Sequence, residues 1–160
     1  MDGKRVKLRV CVFLLPVVIP IAALWVWREE KRAMAEGRVL DEGQRADASL
    51  MGVQHPERIR ILLVDEISGP RNVLLRKLCD ALGYFGPWIS GITYRYGILI
   101  RRDRYPDRLL VAHECVHTGQ YERCGSLAAF LKLYLRECLV EGYPNGPLER
   151  EAVERSACVE

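Results

Sequence analysis

The chain has 160 residues, of which 49% are hydrophobic, which is enough for one modest core but not for two full domains. Its formal net charge of +3 arises in the first 27 residues, which hold four basic residues and one acidic residue, because residues 28–160 carry 20 basic and 20 acidic groups. A neutral folded part lacks the clustered lysine and arginine surface that nucleic-acid binding requires, so we expect no nucleic-acid partner.

The most apolar part of the sequence is the run at residues 10–27, which contains no charged side chain and follows a basic segment at residues 1–9. As a helix it would span roughly 27 Å at about 1.5 Å per residue, just enough for the hydrocarbon core of a bilayer. The run therefore predicts a single-pass transmembrane signal anchor. A cleaved signal peptide is the alternative, but the nearest small-x-small triplet, at residues 33–35, is separated from the run by five charged residues.

Basic residues on the two sides of this run predict its orientation. Four precede it, whereas Arg28, Lys31 and Arg32 follow it closely. The positive-inside rule then places residues 28–160 outside the cytoplasm, which in a Gram-negative bacterium is the periplasm. We therefore expect a protein of the inner (cell) membrane, with the membrane as a partner.

The rest of the chain divides into a linker and a folded domain. Residues 28–52 are rich in charge and have no strong apolar stripe, so they predict a charged helical linker with a short helix near residues 42–51. Residues 53–160 mix strand and helix patterns, which predicts an α+β domain. The predicted strands are residues 58–67, 92–96 and 97–101, and the predicted helices are residues 72–82, 107–125 and 126–141 and a short last helix that starts at Pro147.

The helix predicted at residues 107–125 carries the motif H-E-x-x-H, formed by His113, Glu114 and His117. Residues four apart on an α-helix are turned by about 40° from each other, so both imidazoles project from one face. We interpret the pair as two ligands of one Zn²⁺ ion per chain. Glu114, one step round the helix, is then placed to take a proton from a water on the metal. A structural histidine pair without metal is the alternative.

A catalytic zinc site needs a third protein ligand. The pattern H-E-x-x-H-x-x-G-x-x-H is excluded, because Gln120 and Arg123 stand where it needs glycine and histidine. His55 precedes a strand and is typical of a turn residue, and no two cysteines form a C-x-x-C pair, although disulfides remain open. A carboxylate from the last helix is the other common solution, and both Glu149 and Glu151 are candidates.

Three parts of the sequence together resemble the gluzincin branch of zinc metallopeptidases, and within it short bacterial zincin-like proteins of unassigned function. They are LVAHECVH with QYER at residues 110–123, YPN at 143–145 and PLEREA at 147–152. The resemblance implies a minimal zincin-like fold, with a small sheet beside the active-site helix and the helices that follow it. In gluzincins with an E-x-x-A motif the first glutamate binds zinc, which implies Glu149 as the third ligand, with Glu151 as the fallback.

The resemblance also implies a function, namely a membrane-anchored zinc metallopeptidase that hydrolyses a protein or peptide substrate. Tyr121 and Tyr143 are candidates for contacts with the oxyanion or the substrate. One alternative is a zinc-binding pseudoenzyme that acts as a membrane-tethered interaction module, which the small size of the folded part favours. The other is a membrane-anchored binding protein without metal.

Overall fold

The computed structural model describes the backbone of residues 3–159 and the side chains of residues 13–159. In this part of the chain a four-stranded sheet and six α-helices form an α+β domain. The helices are α1 Gly3–Glu36, α2 Glu42–Leu50, α3 Val73–Leu82, α4 Arg108–Cys124, α5 Leu127–Glu141 and α6 Pro147–Ser156. The strands are β1 Arg38–Val39, β2 Arg60–Val64, β3 Gly91–Tyr94 and β4 Gly97–Arg101.

The sheet has the strand order β1-β2-β4-β3. β2 and β4 are parallel, with Leu62 opposite Leu99, and the connection between them contains α3 and β3. β3 returns antiparallel to β4 and forms one edge of the sheet. This edge lies against α4, where the side-chain oxygen of Thr93 lies 2.9 Å from the backbone oxygen of Glu114.

Side chains that alternate along the central strands divide the core into two clusters, one on each face of the sheet. Ile61, Ile98 and Ile100 are buried with residues of α2, α4 and α6. Leu62 and Leu99 are buried in the other cluster, with residues of α1, α3 and α5. Helices therefore cover both faces.

Local signals fix the helices that follow β4. The Asp107 carboxylate accepts a hydrogen bond from the Leu110 N–H at the start of α4, and Gly125 ends this helix in the left-handed conformation at φ 73°. Ser126 caps α5 in the same way as Asp107 caps α4, and Pro147 occupies the first turn of α6. These are the ends that the sequence predicts for the three helices.

The long helix α1 packs against the domain along one side. Its buried residues recur at helical spacing; they are Leu15, Val18, Ala22, Val26, Glu30 and Ala33. Near its end α1 approaches β4 so closely that a Cβ added to Gly97 would lie 2.7 Å from the Cβ of Ala33. Trp25 adds edge-to-face contacts to Tyr94, at 5.3 Å between ring centroids, and to Phe85, at 5.9 Å.

Among the described residues, no helix has both the length and the apolar composition needed to cross a bilayer. The transmembrane anchor predicted at residues 10–27 is therefore wrong. The apolar side chains of this run include the buried side of α1, and a helix that packs on a core is apolar for that reason. The side chains of the basic segment at residues 1–9 lie outside the described residues, and the extracytoplasmic location stays a prediction.

The stretch predicted as a charged linker, residues 28–52, is part of the domain. Ala33, Leu40, Ala48 and Met51 have at most 1% of their surface exposed, so each contributes to the core. The helix predicted near residues 42–51 is α2, which starts at a capping box formed by Asp41 and Gln44. All five cysteines with described side chains are free thiols: Cys79, Cys115, Cys124, Cys138 and Cys158.

Candidate metal centre

Two of the candidate ligands come from the middle of α4. His113 and His117 are one turn apart, and their Nε2 atoms are 3.2 Å from each other. His117 is buried, with 7% of its surface exposed, whereas His113 is partly exposed. The capped helix thus directs both imidazoles toward one point.

The third candidate ligand comes from α6. After α5 the chain turns back, and α6 packs against α4. Glu149 lies 3.6 Å from each histidine, through Oε2 to the Nε2 of His113 and through Oε1 to the Nε2 of His117. Its carboxylate is buried, with 7% of the residue exposed. The structure therefore brings together the three residues that the sequence and the resemblance single out.

The spacing of these donors fits one small divalent cation. One donor atom from each of His113, His117 and Glu149 can be chosen so that all lie within 4.8 Å of one another. Zinc ligands lie about 2.1 Å from the ion, so two of them at a tetrahedral angle are about 3.4 Å apart. The separation of 3.2 Å between the two Nε2 atoms, and the separation of 3.6 Å from each Nε2 to a different carboxylate oxygen of Glu149, are close to this value. The two-nitrogen, one-carboxylate set suits zinc and also other divalent transition metals.

Gln120 orients the buried histidine. Its Oε1 accepts a hydrogen bond from the Nδ1 of His117 at 2.8 Å, and its Nε2 donates to the Leu148 oxygen at 2.8 Å and to Glu151 at 3.0 Å. Because Nδ1 is the donor in this contact, the lone pair of neutral His117 is on Nε2, the atom that faces Glu149. Gln120 therefore links the two helices that carry the candidate ligands.

Tyr134 of α5 contacts the third candidate ligand. Its hydroxyl donates a short hydrogen bond to Oε1 of Glu149. Tyr134 itself is buried, and burial raises the pKa of its hydroxyl well above the ordinary value, so it remains a donor. The sequence places Tyr134 only on the apolar side of a core helix, and no local pattern predicts its contact with a residue 15 positions away.

Glu114 lies on the same cavity as the three candidate ligands. It is 4% exposed, and its Oε2 accepts a hydrogen bond from the Thr93 hydroxyl at 2.7 Å. A Cβ added to Gly91 would lie 2.6 Å from Oε1 of Glu114, so only glycine leaves room for the carboxylate here. The edge strand β3 therefore fixes the position of Glu114, a role of Thr93 and Gly91 that the sequence does not predict.

Glu151 and Tyr121, which the sequence also singles out, differ from Glu149 in their contacts. Glu151 is not directed at the histidines, because it binds Arg123 at 2.6 Å and Arg155 at 3.4 Å. Tyr121 is buried and stacks on Phe130, with 3.6 Å between ring centroids, although it also borders the cavity.

Tyr143, in contrast, is partly exposed and lines the cavity beside the candidate ligands. Burial and the nearby carboxylates of Glu149 and Glu114 raise the pKa of its hydroxyl, so it stays protonated. His55 is exposed and lies 3.5 Å from Glu57, outside the site, as expected of a turn residue.

Charge couples Glu149 and His117 when no cation is bound. Burial alone would raise the pKa of Glu149, but the imidazoles of His113 and His117, each 3.6 Å away, hold it well below its usual range. Burial alone would lower the pKa of His117, but the carboxylate of Glu149, 3.6 Å away, raises it to about 9. Because the pKa of His117 is raised, its contribution to stability is complete below its ordinary pKa of 6.5 and is lost as the pH rises toward 9. Because the pKa of Glu149 is lowered, its contribution is complete above 4.5 and is lost as the pH falls below that value. The metal-free pair is therefore most stabilising at pH 4.5–6.5.

We expect the zinc affinity of the chain to rise by about tenfold per pH unit between pH 6 and 8. A metal can bind Nε2 of His117 only when this atom is deprotonated, and the pKa of about 9 means that one proton must leave. Competition with a chelator of known pH dependence measures the slope. An affinity that does not change over this range would contradict the assignment of His117 as a ligand.

We expect Gln120→Ala to weaken zinc binding by about 10- to 100-fold, because His117 loses the acceptor that fixes its tautomer. Titration of the metal-free protein with zinc measures the change. Gln54→Ala is the matched control, since Gln54 is exposed and outside the site. Equal affinities of the two variants would show that Gln120 does not support the ligand.

Comparisons of this chain with models of protein families, with curated proteins and with solved structures gave no match.

Proposed function

We propose that the chain is a zinc-dependent peptidase in which His113, His117 and Glu149 hold the ion and Glu114 is the general base. One observation carries the proposal: a buried carboxylate that is not among the three donors lies on the same cavity as they do. A site that only stored or sequestered a metal would not need a base next to it.

The ion, Glu114 and Tyr143 have separate roles in the proposed reaction. Bound zinc would polarise the peptide carbonyl and lower the pKa of a water molecule, which is the chemistry that the ion supplies. Glu114, held by Thr93, takes the proton from the attacking water and delivers it to the leaving amine. Tyr143 remains protonated and lines the cavity, so its hydroxyl is a candidate donor to the oxyanion.

The proposal is tested by cleavage of a peptide library. The full chain is loaded with one equivalent of zinc and incubated with peptides from a digested proteome, and new termini are identified by mass spectrometry. We expect internal cleavage that a chelator abolishes and that added zinc restores. A zinc-loaded chain that cleaves no peptide in the library would contradict the proposal.

A second candidate function is a zinc-binding pseudoenzyme that serves as an interaction module. The observation that favours it is the small size of the cavity, about 90 Å³, in a site whose ligands are largely buried. In that case zinc would stabilise the fold, and the zinc-loaded chain would cleave no peptide. The cleavage experiment therefore separates the two candidates.

A further inference from the structure

The outward side of α1 carries an exposed apolar stripe, formed by Phe13, Val17, Pro20, Leu24 and Trp27. All five residues are exposed, Phe13 to 83%. They lie within about 80° of one another around the helix and extend over about 21 Å along it, at about 1.5 Å per residue. The stripe is opposite the buried side of the same helix, so α1 is apolar on two sides. A contiguous exposed patch of large apolar side chains marks an interaction surface.

Basic residues flank the apolar stripe at both ends. Arg28 and Lys31 are exposed within about one turn of its last residue, and Nζ of Lys31 lies 5.9 Å from the centre of the Trp27 ring. On the other side, the sequence has four basic residues and one acidic residue at positions 1–9. An apolar stripe that ends in an aromatic residue and cations is typical of a helix at a membrane surface.

The acidic residues in the last part of α1 are engaged away from the stripe. Glu30 is buried and lies 3.0 Å from Arg95 of the β3–β4 turn, so its charge faces the domain. Glu29 and Glu36 lie 3.6 and 3.8 Å from Arg32. The exposed side of α1 beyond the stripe is therefore positive.

Helix α5, which packs beside α1, has an exposed side of similar composition. Lys132, Leu133, Arg136 and Val140 are all exposed. They lie within about 100° of one another around α5, so they share one side of it. Two neighbouring helices thus expose the same combination of apolar and basic side chains.

Charge determines which partner fits the stripe. If two copies of the chain paired through their stripes, basic ends would meet in a parallel and in an antiparallel arrangement alike, because both ends of the stripe are basic. Like charges brought together in an interface oppose association. A bilayer that contains anionic lipid offers hydrocarbon to the stripe and phosphates to its basic ends at the same time.

We propose that α1 docks the domain on the surface of a membrane that contains anionic lipid. The side chains of the stripe enter the boundary between head groups and acyl chains, and the basic residues at its ends contact lipid phosphates. The helix lies in the plane of the bilayer and does not cross it, because its other side stays packed on the core. Docking therefore requires no change in the fold.

The test measures binding of the metal-free full chain to lipid vesicles by flotation. One set of vesicles contains phosphatidylcholine alone, and the other contains phosphatidylcholine and phosphatidylglycerol in equal amounts. We expect binding to the anionic vesicles to be at least about tenfold tighter and to weaken by a similar factor in concentrated salt, which screens the attraction between basic side chains and head groups. Because no metal is involved, the outcome does not depend on the proposed peptidase function.

Val17→Asp tests the stripe. It replaces an apolar side chain that would enter the bilayer by a charged one, so it should weaken binding to the anionic vesicles by about 10- to 100-fold. The matched control is Val153→Asp, which makes the same change in charge. Val153 is exposed to a similar extent, 61% against 57%, but lies on α6, which covers the opposite face of the sheet. This control should bind like the wild type.

Arg28→Ala tests the basic ends of the stripe. It removes one charge beside the lipid phosphates, so it should weaken binding to the anionic vesicles by about fivefold and leave binding to the neutral vesicles unchanged. Arg150→Ala is its control, because Arg150 is also exposed but lies on α6. It should bind both kinds of vesicle like the wild type.

Equal binding to the two kinds of vesicle, or no binding to either, would overturn the proposal. So would a chain that alkaline carbonate does not remove from the vesicles, since such retention indicates a helix that crosses the bilayer. A dimer in lipid-free solution that Val17→Asp dissociates, together with no vesicle binding, would assign the stripe to a second copy of the chain. If Val17→Asp does not fold, the comparison of Arg28→Ala with Arg150→Ala decides, and equal binding by these two variants would contradict the proposal.

Discussion

Replacement of Glu114 by glutamine is expected to lower the rate of peptide cleavage by about a hundredfold or more while the chain keeps about one zinc ion. General bases contribute roughly 10²- to 10⁴-fold to such reactions, and an amide of the same shape cannot accept the proton. The variant should fold, because glutamine retains an oxygen that accepts the hydrogen bond from Thr93. Zinc content and the initial rate on one cleaved peptide are measured together.

The matched control for this variant is Glu154→Gln, which removes the same charge from an exposed position on α6. It should keep both zinc and the cleavage rate. If Glu114→Gln retained the wild-type rate, the assignment of the base would be wrong, although the metal centre could stand. Loss of zinc in Glu114→Gln would instead place Glu114 among the ligands.

The second large effect is the loss of zinc-dependent stability in Glu149→Ala. A ligand present at about 1,000 times its Kd stabilises the folded state by about 4 kcal/mol. For a chain of this length such a gain raises the Tm by roughly 8 to 16 °C. We expect zinc to produce this shift in the wild type and to produce no shift in Glu149→Ala, because a buried ligand has been removed. Thermal unfolding with and without zinc measures it.

Glu151→Ala is the informative comparison, since Glu151 is the other acidic residue that the sequence offers as a ligand. In the structure it binds Arg123 and Arg155, so its variant should still bind one zinc ion and retain most of the shift. If the rise in Tm with zinc were lost in Glu151→Ala and kept in Glu149→Ala, Glu151 and not Glu149 would be the third ligand.

The parts of this molecule that can be predicted from the sequence are those with local causes. The ends of α4 follow from Asp107 and Gly125, which act on neighbouring backbone groups, and the four-residue spacing of His113 and His117 places both on one side of the helix. The approach of Glu149 to the two histidines depends on the lengths of α5 and the turn after it. In the sequence this approach is indicated by the resemblance and not by any local rule.

The parts that could not be predicted are contacts between distant residues. Thr93 and Gly91 lie on an edge strand whose position beside Glu114 depends on the order of the strands. The hydrogen bond from Tyr134 to Glu149 joins two helices, and nothing in either helix alone distinguishes this tyrosine from a core residue.

The error about α1 has a different physical cause. Hydropathy measures how apolar a run is, but not whether its side chains are covered by lipid or by the rest of the protein. Val18, Ala22 and Val26 are buried against the domain, so part of the apolar character of residues 10–27 reflects packing within the fold. Only the pairing of α1 with α5 and the sheet, which is a tertiary property, reveals this.

The central claim is that one zinc ion binds between α4 and α6. The most direct measurement is anomalous diffraction at the zinc edge from crystals of the zinc-loaded full chain. We predict one strong peak per chain, about 2.0–2.2 Å from the Nε2 atoms of His113 and His117 and from a carboxylate oxygen of Glu149. A zinc peak elsewhere, with none between these three residues, would contradict the account.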